Sequence, residues 1–504
     1  MKDPQDAYSE LVQMSRERAM LSSCLELLGW DELTYMPAGG VKYRGRVMAW
    51  LAGLDHTMGT DPRFAEMLSV VEDSPLLTEE TGLVAANVRR WKRDRERMTR
   101  VPKKLVEELA EVTATAQRVW ADARQNNDFS EFAPWLEKIV QLKQHEARCR
   151  GGSDHLYDGF LQDYEPHVTT AEIIRLFADL RQELATLLTA IRGSRRSTSD
   201  SLLHREYPIE RQQIFAESIA ADIGFDFHRG RLDSTTHPFF AAVGPGDCRI
   251  TTRYSTHDFG DAFFSMMHEM GHGLYEQGLD PALCGTPVGE APSTGVHESQ
   301  SQLWEKFIGR ERSFWTHVFP RARDIFHDSL HNVTVDEFHQ AINHVKPSWN
   351  RVRADPVTYD LHILIRFELE MALIQGGLSV AELPGAWNDA YEKYLGVRPD
   401  DDAEGCLQDG HWSAGMFGYF PVYTLGNIYA AQFYEAAKKS FGNLDAQFEK
   451  GQFGELIGWL KKEIYTRGGL DDSAGLVQQV TGQAPCFRPL VDALWSRYRP
   501  LYDI

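Results

Sequence analysis

The spacing of apolar residues restricts this chain to a mainly helical fold. From Ile173 they recur at Phe177, Leu180, Leu184, Leu187 and Ile191, steps of three and four that place them on one stripe of a helix. Thr169 and Glu172 ahead of that run have the spacing of a capping box, and Gly193 stops it. Pro102 opens a second such segment, with Leu105, Leu109, Val112, Ala116 and Val119 on its stripe. A third is expected to start with Asp355 as cap and Pro356 in the first turn, ending near Gly376 and Gly377. The three segments come from different parts of the chain, so helix is the rule throughout.

One region departs from it. His237 to Val243 and Cys248 to Tyr254 are short strand-like runs, joined by the turn-rich Gly244-Pro245-Gly246-Asp247. They predict a small β-hairpin just before the helix described next. Candidate linkers are Gly151-Gly152-Ser153, the polar stretch Ser194 to Ser201, and Pro399 to Gly405. None is long enough to force a boundary, so residues 1–504 are expected to form one helical domain, with a helical subdomain over 1–200 and a catalytic part from about 201.

The chemistry sits in His268-Glu269-Met270-Gly271-His272, within an apolar helical stretch from Asp258 to Tyr275. Two histidines four apart lie one turn apart on the same helix face, so both imidazoles can reach one ion. The glutamate beside the first can then take a proton from a water that the ion activates. A catalytic zinc site needs a third protein ligand and an open position. Tyr275 and Gly278 stand where a metzincin would have glycine and histidine, which excludes that class. Glu298 lies 26 positions after His272 on a following helical segment, with Leu303, Trp304 and Phe307 on its core side and Glu298, Ser301, Gln302 and Glu305 on the opposite stripe. Glu276, Glu290 and Glu305 compete. Glu276 shares the histidines' helix in an awkward position, Glu290 sits in a Gly/Pro-rich loop, and Glu305 suits a hydrogen bond to a ligand better than ligation. Helix geometry favours Glu298.

Bulk properties narrow the partners. With 53 basic and 73 acidic residues the formal charge is −20, which disfavours phosphate backbones and anionic lipid surfaces. No stretch has the length and apolarity of a membrane helix, and the polar start of the chain does not resemble a cleaved signal. Cys24, Cys149, Cys248, Cys284, Cys406 and Cys486 are scattered without a CxxC pair, as expected for a reducing cytoplasm.

Further marks occur in order along nearly the whole chain. Trp30-Asp31-Glu32-Leu33-Thr34-Tyr35-Met36-Pro37 fits WDxxTxMP, His237-Pro238-Phe239 fits HPF, and Asp247-Cys248-Arg249-Ile250-Thr251 fits DxRxT. After the HExxH come His297-Glu298-Ser299-Gln300 (HESQ), Asn350 to Asp355 (NRxxAD) and Gly405 to Trp412 (GxxQDxHW). In these motifs the sequence resembles the thermostable carboxypeptidase (carboxypeptidase Taq) family of metallopeptidases. The resemblance implies a nearly all-helical protein with a deep central groove, usually a homodimer, that removes single amino acids from peptide carboxyl termini. It also implies His268, His272 and Glu298 as ligands of one divalent ion, zinc first and cobalt as a substitute, with Glu269 as general acid/base. Phe240 departs from the pattern, because a small polar residue is common there.

Peptide hydrolysis needs an oxyanion donor besides the metal. His237 resembles the HPF histidine and is one candidate; Tyr423 is a second, with core packing as its alternative. Arginine recognises a free carboxylate best, because its planar fork forms a bidentate pair. Arg351 is the first candidate, its alternative being an i,i+4 ion pair with Asp355; Arg249 on the hairpin is the second. His411 and Trp412 line the groove or serve as packing. Two other functions compete: an endopeptidase or oligopeptidase using the same metal site, and a helical binding protein with a degenerate one.

Overall fold

The computed structural model describes residues 2–77, 82–151 and 155–504, so Gly152 and Ser153 of the first candidate linker lie outside the described residues. It is mainly helical, with one three-stranded sheet among the described residues. The chain forms two compact units, each assembled from three separate stretches. One comprises Met1–Arg93, Ser199–Ile342 and Ala430–Pro485; the other Asp94–Thr198, Asn343–Tyr429 and Cys486–Ile504. No helix among the described residues is long and apolar enough to cross a membrane.

The first unit begins with helices Pro4–Thr34, Val41–Gly59 and Pro62–Glu72. Ala7 and Leu11 of the first helix pack with Leu68 and Val71 of the third and with Val88 and Trp91. The sheet holds strands β1 (Gly230–Ser234), β2 (Phe240–Gly244) and β3 (Asp247–Thr252) in the order β1-β3-β2. The expected hairpin is the antiparallel β2–β3 pair, turning through Gly244 and Gly246, both at positive φ. β1, which the sequence reading missed, adds in parallel on the other side of β3. β3 is therefore the central strand, and the HExxH helix, Phe259–Gly278, lies against it. Thr252 Oγ1 bonds to the carbonyl of Ala262 at 2.8 Å, and Gly273 gives Ile250 and Phe225 room to approach. Phe259 and Phe263 continue that helix into an aromatic core with Phe215, Trp315 and Phe326.

In the second unit the capping box forms as expected: Thr169 and Glu172 cap helix Thr170–Gly193, whose stripe from Ile173 to Ile191 is buried. Helix Lys103–Asn126 follows Pro102 and buries Leu105 and Ala116. The helix expected from Pro356 starts later, at Tyr359, and ends at Gly376 in the left-handed conformation. The delay has a local cause: the Asp355 carboxylate accepts the amides of Val357 and Thr358, making a separate turn before the helix. That same turn rules out the i,i+4 pair between Arg351 and Asp355.

Candidate metal and catalytic site

Asp258 caps the HExxH helix by accepting the Asp261 amide. The helix buries most of its residues from Phe259 to Gly278, including Glu269 and His272. A second helix, Thr294–Gln302, is capped by Ser293 and runs on into a π-helical turn, Leu303–Ile308. The two helices cross closely at Gly271. A Cβ there would stand 2.4 Å from the Gln300 carbonyl oxygen and 2.7 Å from Ser301 Cα, so only glycine lets the backbones meet at this separation. Glu298 thereby comes within reach of both histidines.

The ligand atoms of His268, His272 and Glu298 all lie within 4.8 Å of one another. Glu298 Oε2 is 3.4 Å from His272 Nε2 and 3.8 Å from His268 Nε2. Ligands held about 2.0–2.1 Å from a tetrahedral ion stand about 3.3–3.4 Å apart, a separation that Glu298 and His272 already have and that His268 approaches by drawing inward. The donor set, two imidazole nitrogens and one carboxylate oxygen, suits the same kind of ion. Glu305 Oε2 meets His268 Nδ1 at 2.8 Å, fixing that ring with Nε2 turned to the centre. Glu298 and Glu305 thus face the two nitrogens of a single ring. Gln302, four residues after Glu298 on the same helix, donates to Glu298 Oε1. Glu276 lies outside the group of His268, His272 and Glu298 and pairs with His297 Nε2 at 3.0 Å.

Burial and charge set the protonation of the group. Burial pushes Glu269 up to about 7, against the pull of His268. It pushes His272 down to about 3, with His297 acting in the same direction. Burial also works against a charged His268, but Glu298 and the hydrogen bond to Glu305 outweigh it and hold the ring up to about 9. Glu298 is likewise opposed by burial and is held down to about 2 by the two imidazoles and Gln302. The pocket therefore keeps one positive ring against an anionic ligand, which is the charge pattern a cation would replace.

The remaining candidates sit as follows. His237 is exposed in the bend before β2. Arg249 is held by Asp247 at 2.8 and 2.9 Å, and its guanidinium stacks 4.1 Å from the Trp30 ring centre. In the second unit, Arg351 is 11% exposed; its Nε and Nη2 bond to Asp409 Oδ1 at 3.0 and 2.9 Å. Asp409 also takes Arg366 Nε at 2.6 Å on its other oxygen, so two guanidiniums share one carboxylate. Tyr423 lies under Arg351, 5.1 Å from ring centre to guanidinium carbon, and its hydroxyl is 3.3 Å from His411 Nε2. Trp412 is buried and donates to Glu370 at 2.6 Å. Sequence alone placed Gln302 on the Glu298 stripe without a role, and gave neither the His297–Glu276 nor the Arg366–Asp409 pair. Of these only Gln302 carried a local signal, an i,i+4 spacing from Glu298.

Comparison with known proteins places the chain in one family. Residues 10–498 match the carboxypeptidase Taq (M32) metallopeptidase family. The thermostable carboxypeptidase 1 of Thermus thermophilus is 45% identical over 508 residues, covering 99% of each chain. Carboxypeptidase 1 of Bacillus subtilis is 35% identical over 494 residues, covering 98% of each. The crystal structure of the M32 carboxypeptidase from Deinococcus radiodurans R1 superposes with a TM-score of 0.94 at 38% identity, over 99% of this chain and 100% of that one. From one end of the fold to the other, then, the chain belongs to the carboxypeptidase Taq (M32) family and is a metallocarboxypeptidase, a peptide hydrolase.

Proposed function

We propose that this enzyme releases single amino acids from the carboxyl terminus of peptides, with one zinc ion held by His268, His272 and Glu298 and with Glu269 as the general acid/base. The observation that carries the proposal is the convergence of those three ligand atoms beside a buried glutamate raised to about 7. The ion supplies Lewis-acid chemistry, polarising the scissile carbonyl and making water nucleophilic at neutral pH. Glu269 accepts the proton of the attacking water on its carboxylate and returns it to the nitrogen of the departing amino acid. Burial raises this carboxyl above its ordinary range near 4.5 before any ion is bound, which makes it a better proton acceptor than a solvated glutamate. His237 and Tyr423 are the proposed hydrogen-bond donors to the oxyanion.

Arg351 is the proposed partner of the substrate's terminal carboxylate. Its Nε and Nη2 are turned to Asp409, while Arg366 supplies a second positive charge to the same carboxylate. Two cations on one anion leave the cluster with a net positive charge that favours a further anion. Arg249 is the second choice: it pairs one to one with Asp247, without a second guanidinium on that carboxylate. Cobalt is expected to substitute for zinc, and a homodimer in the cytoplasm is the expected form.

The test is mass analysis of products from one peptide in free-acid and carboxyl-amidated forms, with and without chelator. Stepwise loss of single residues from the free acid alone, abolished by chelator and restored by zinc, is the expected result. Equal cleavage of the amidated peptide would overturn the exopeptidase reading.

A further inference from the structure

The two ligand histidines are supported differently. His268 has Glu305 on its second nitrogen, the usual way in which a ligating ring is fixed. His272 Nδ1 is buried and has no hydrogen-bond partner among the described residues. Rings surround it instead. His297 lies nearly parallel to His272, with centroids 4.5 Å apart and planes 18° apart. Phe240 of β2 touches both, at 5.9 Å from His272 and 5.7 Å from His297. His297 is itself fixed at both ends of its ring: Nε2 meets Glu276 Oε1 at 3.0 Å, and Tyr275 packs edge-on at 5.3 Å.

We infer that His297 and Phe240 form a stacking clamp that sets the ring plane of His272, taking the place of the missing hydrogen bond. An imidazole bound through Nε2 alone can still rotate about its side-chain bonds. A parallel neighbour at stacking distance, with a second ring across the corner, removes that rotation by exclusion and offset π contact. Glu276 adds a hydrogen bond to His297 Nε2, while the stacked ring itself sets the plane of His272. His297 immediately precedes Glu298 within the helix Thr294–Gln302, so one backbone segment delivers both a metal ligand and the ring that orients another. Phe240 thereby has a specific task beside the two rings. Both are positioning residues, and the inference rests on the assignment of His272 as a ligand.

The test uses the full-length enzyme loaded with cobalt, whose visible absorption reports ligand geometry. His297→Ala should weaken cobalt affinity about tenfold or more, measured by competition with a chelator, and shift or broaden the visible band. His297→Phe keeps the stacked ring without the Glu276 bond and should retain affinity within about threefold and the parental band. Phe240→Ser should lower affinity severalfold on its own. Far-ultraviolet circular dichroism of the metal-free proteins separates loss of the clamp from loss of fold. Parental affinity and spectrum in His297→Ala, or an equal loss in His297→Phe, would overturn the clamp, as would unchanged binding by Phe240→Ser for its share. His272→Ala distinguishes the underlying assignment: if that variant binds cobalt like the parent, His272 is no ligand and the reading of the site itself fails.

Discussion

Replacing Gly271 by alanine adds one methyl group where two helices meet, and its consequence can be worked from distances. The new Cβ would begin 2.4 Å from the Gln300 carbonyl oxygen and 2.7 Å from Ser301 Cα, both backbone atoms that no rotamer change can move. Reaching a contact of 3.0–3.4 Å requires the helix Thr294–Gln302 to retreat by about 0.6–1.0 Å from the HExxH helix. Overpacking of this kind costs about 1–3 kcal/mol, which a large folded chain survives. The metal site is less tolerant. Glu298 rides on the retreating helix, and its oxygen is already 3.4 and 3.8 Å from the two imidazole nitrogens. Metal–ligand distances tolerate about 0.2 Å, several times less than the forced shift.

Zinc affinity of Gly271→Ala should therefore fall at least about a hundredfold, while the thermal transition of the metal-free protein drops by only a few degrees. Competition against a chromophoric chelator measures the first and calorimetry the second. If Gly271→Ala binds zinc within threefold of the parent, the close crossing of the two helices is not what brings Glu298 to the histidines.

Three other outcomes are expected. Glu269→Gln should lose about 10²–10⁴-fold in kcat while still retaining zinc by elemental analysis, because the amide keeps the shape but cannot carry the proton. Metal uptake at pH 7–8 should release about one proton per ion, since His268, held up to about 9, must give up its proton to ligate. Apparent affinity should accordingly decline about tenfold for each unit of pH below 9, as seen by titration calorimetry in buffers of differing ionisation enthalpy. Buried Glu370, bonded to Tyr157, Trp412 and the Gly418 amide, is pushed up to about 7 by desolvation. An acid raised in the folded state is stabilising below its unfolded value near 4.5, and that stability is lost as pH rises through 7. The change should amount to roughly 3 kcal/mol in denaturant titrations and be absent in Glu370→Gln.

What could be read from the sequence was governed by how local the determining interaction is. The Thr169–Glu172 capping box, the hairpin turn at Gly244 to Asp247 and the two histidines of one helix turn are set by neighbours within four or five residues, and each forms as expected. Glu298 required one more step, the knowledge that a following helix must supply a third ligand, and the structure brings it to both rings. β1 was missed because Gly230 to Ser234 alternates polar residues around a single apolar Leu232, and only its partner β3 makes it a strand. The partition into two units was equally hidden. Two of its crossings, after Arg93 and after Tyr429, fall inside the helices Leu83–Arg100 and Phe420–Phe441, where no linker composition marks them.

The Arg351 case shows the limit most clearly. Its sequence offers Asp355 four residues on, and a helix through both would have paired them. Asp355 instead spends its carboxylate on the amides of Val357 and Thr358, and Arg351 turns to Asp409, 58 residues away. Spacing could rank the local pairing but not the distant one, because the distant partner is chosen by which buried charge needs company. Arg366, fully buried, cannot stand without an anion; Asp409 answers it, and Arg351 then joins a carboxylate already committed. The same logic separates His268 from His272. A polar partner can be guessed from a glutamate at the right offset, as Glu305 was, whereas a ring held by stacking between Phe240 and His297 leaves no charge pattern for a sequence reader to find.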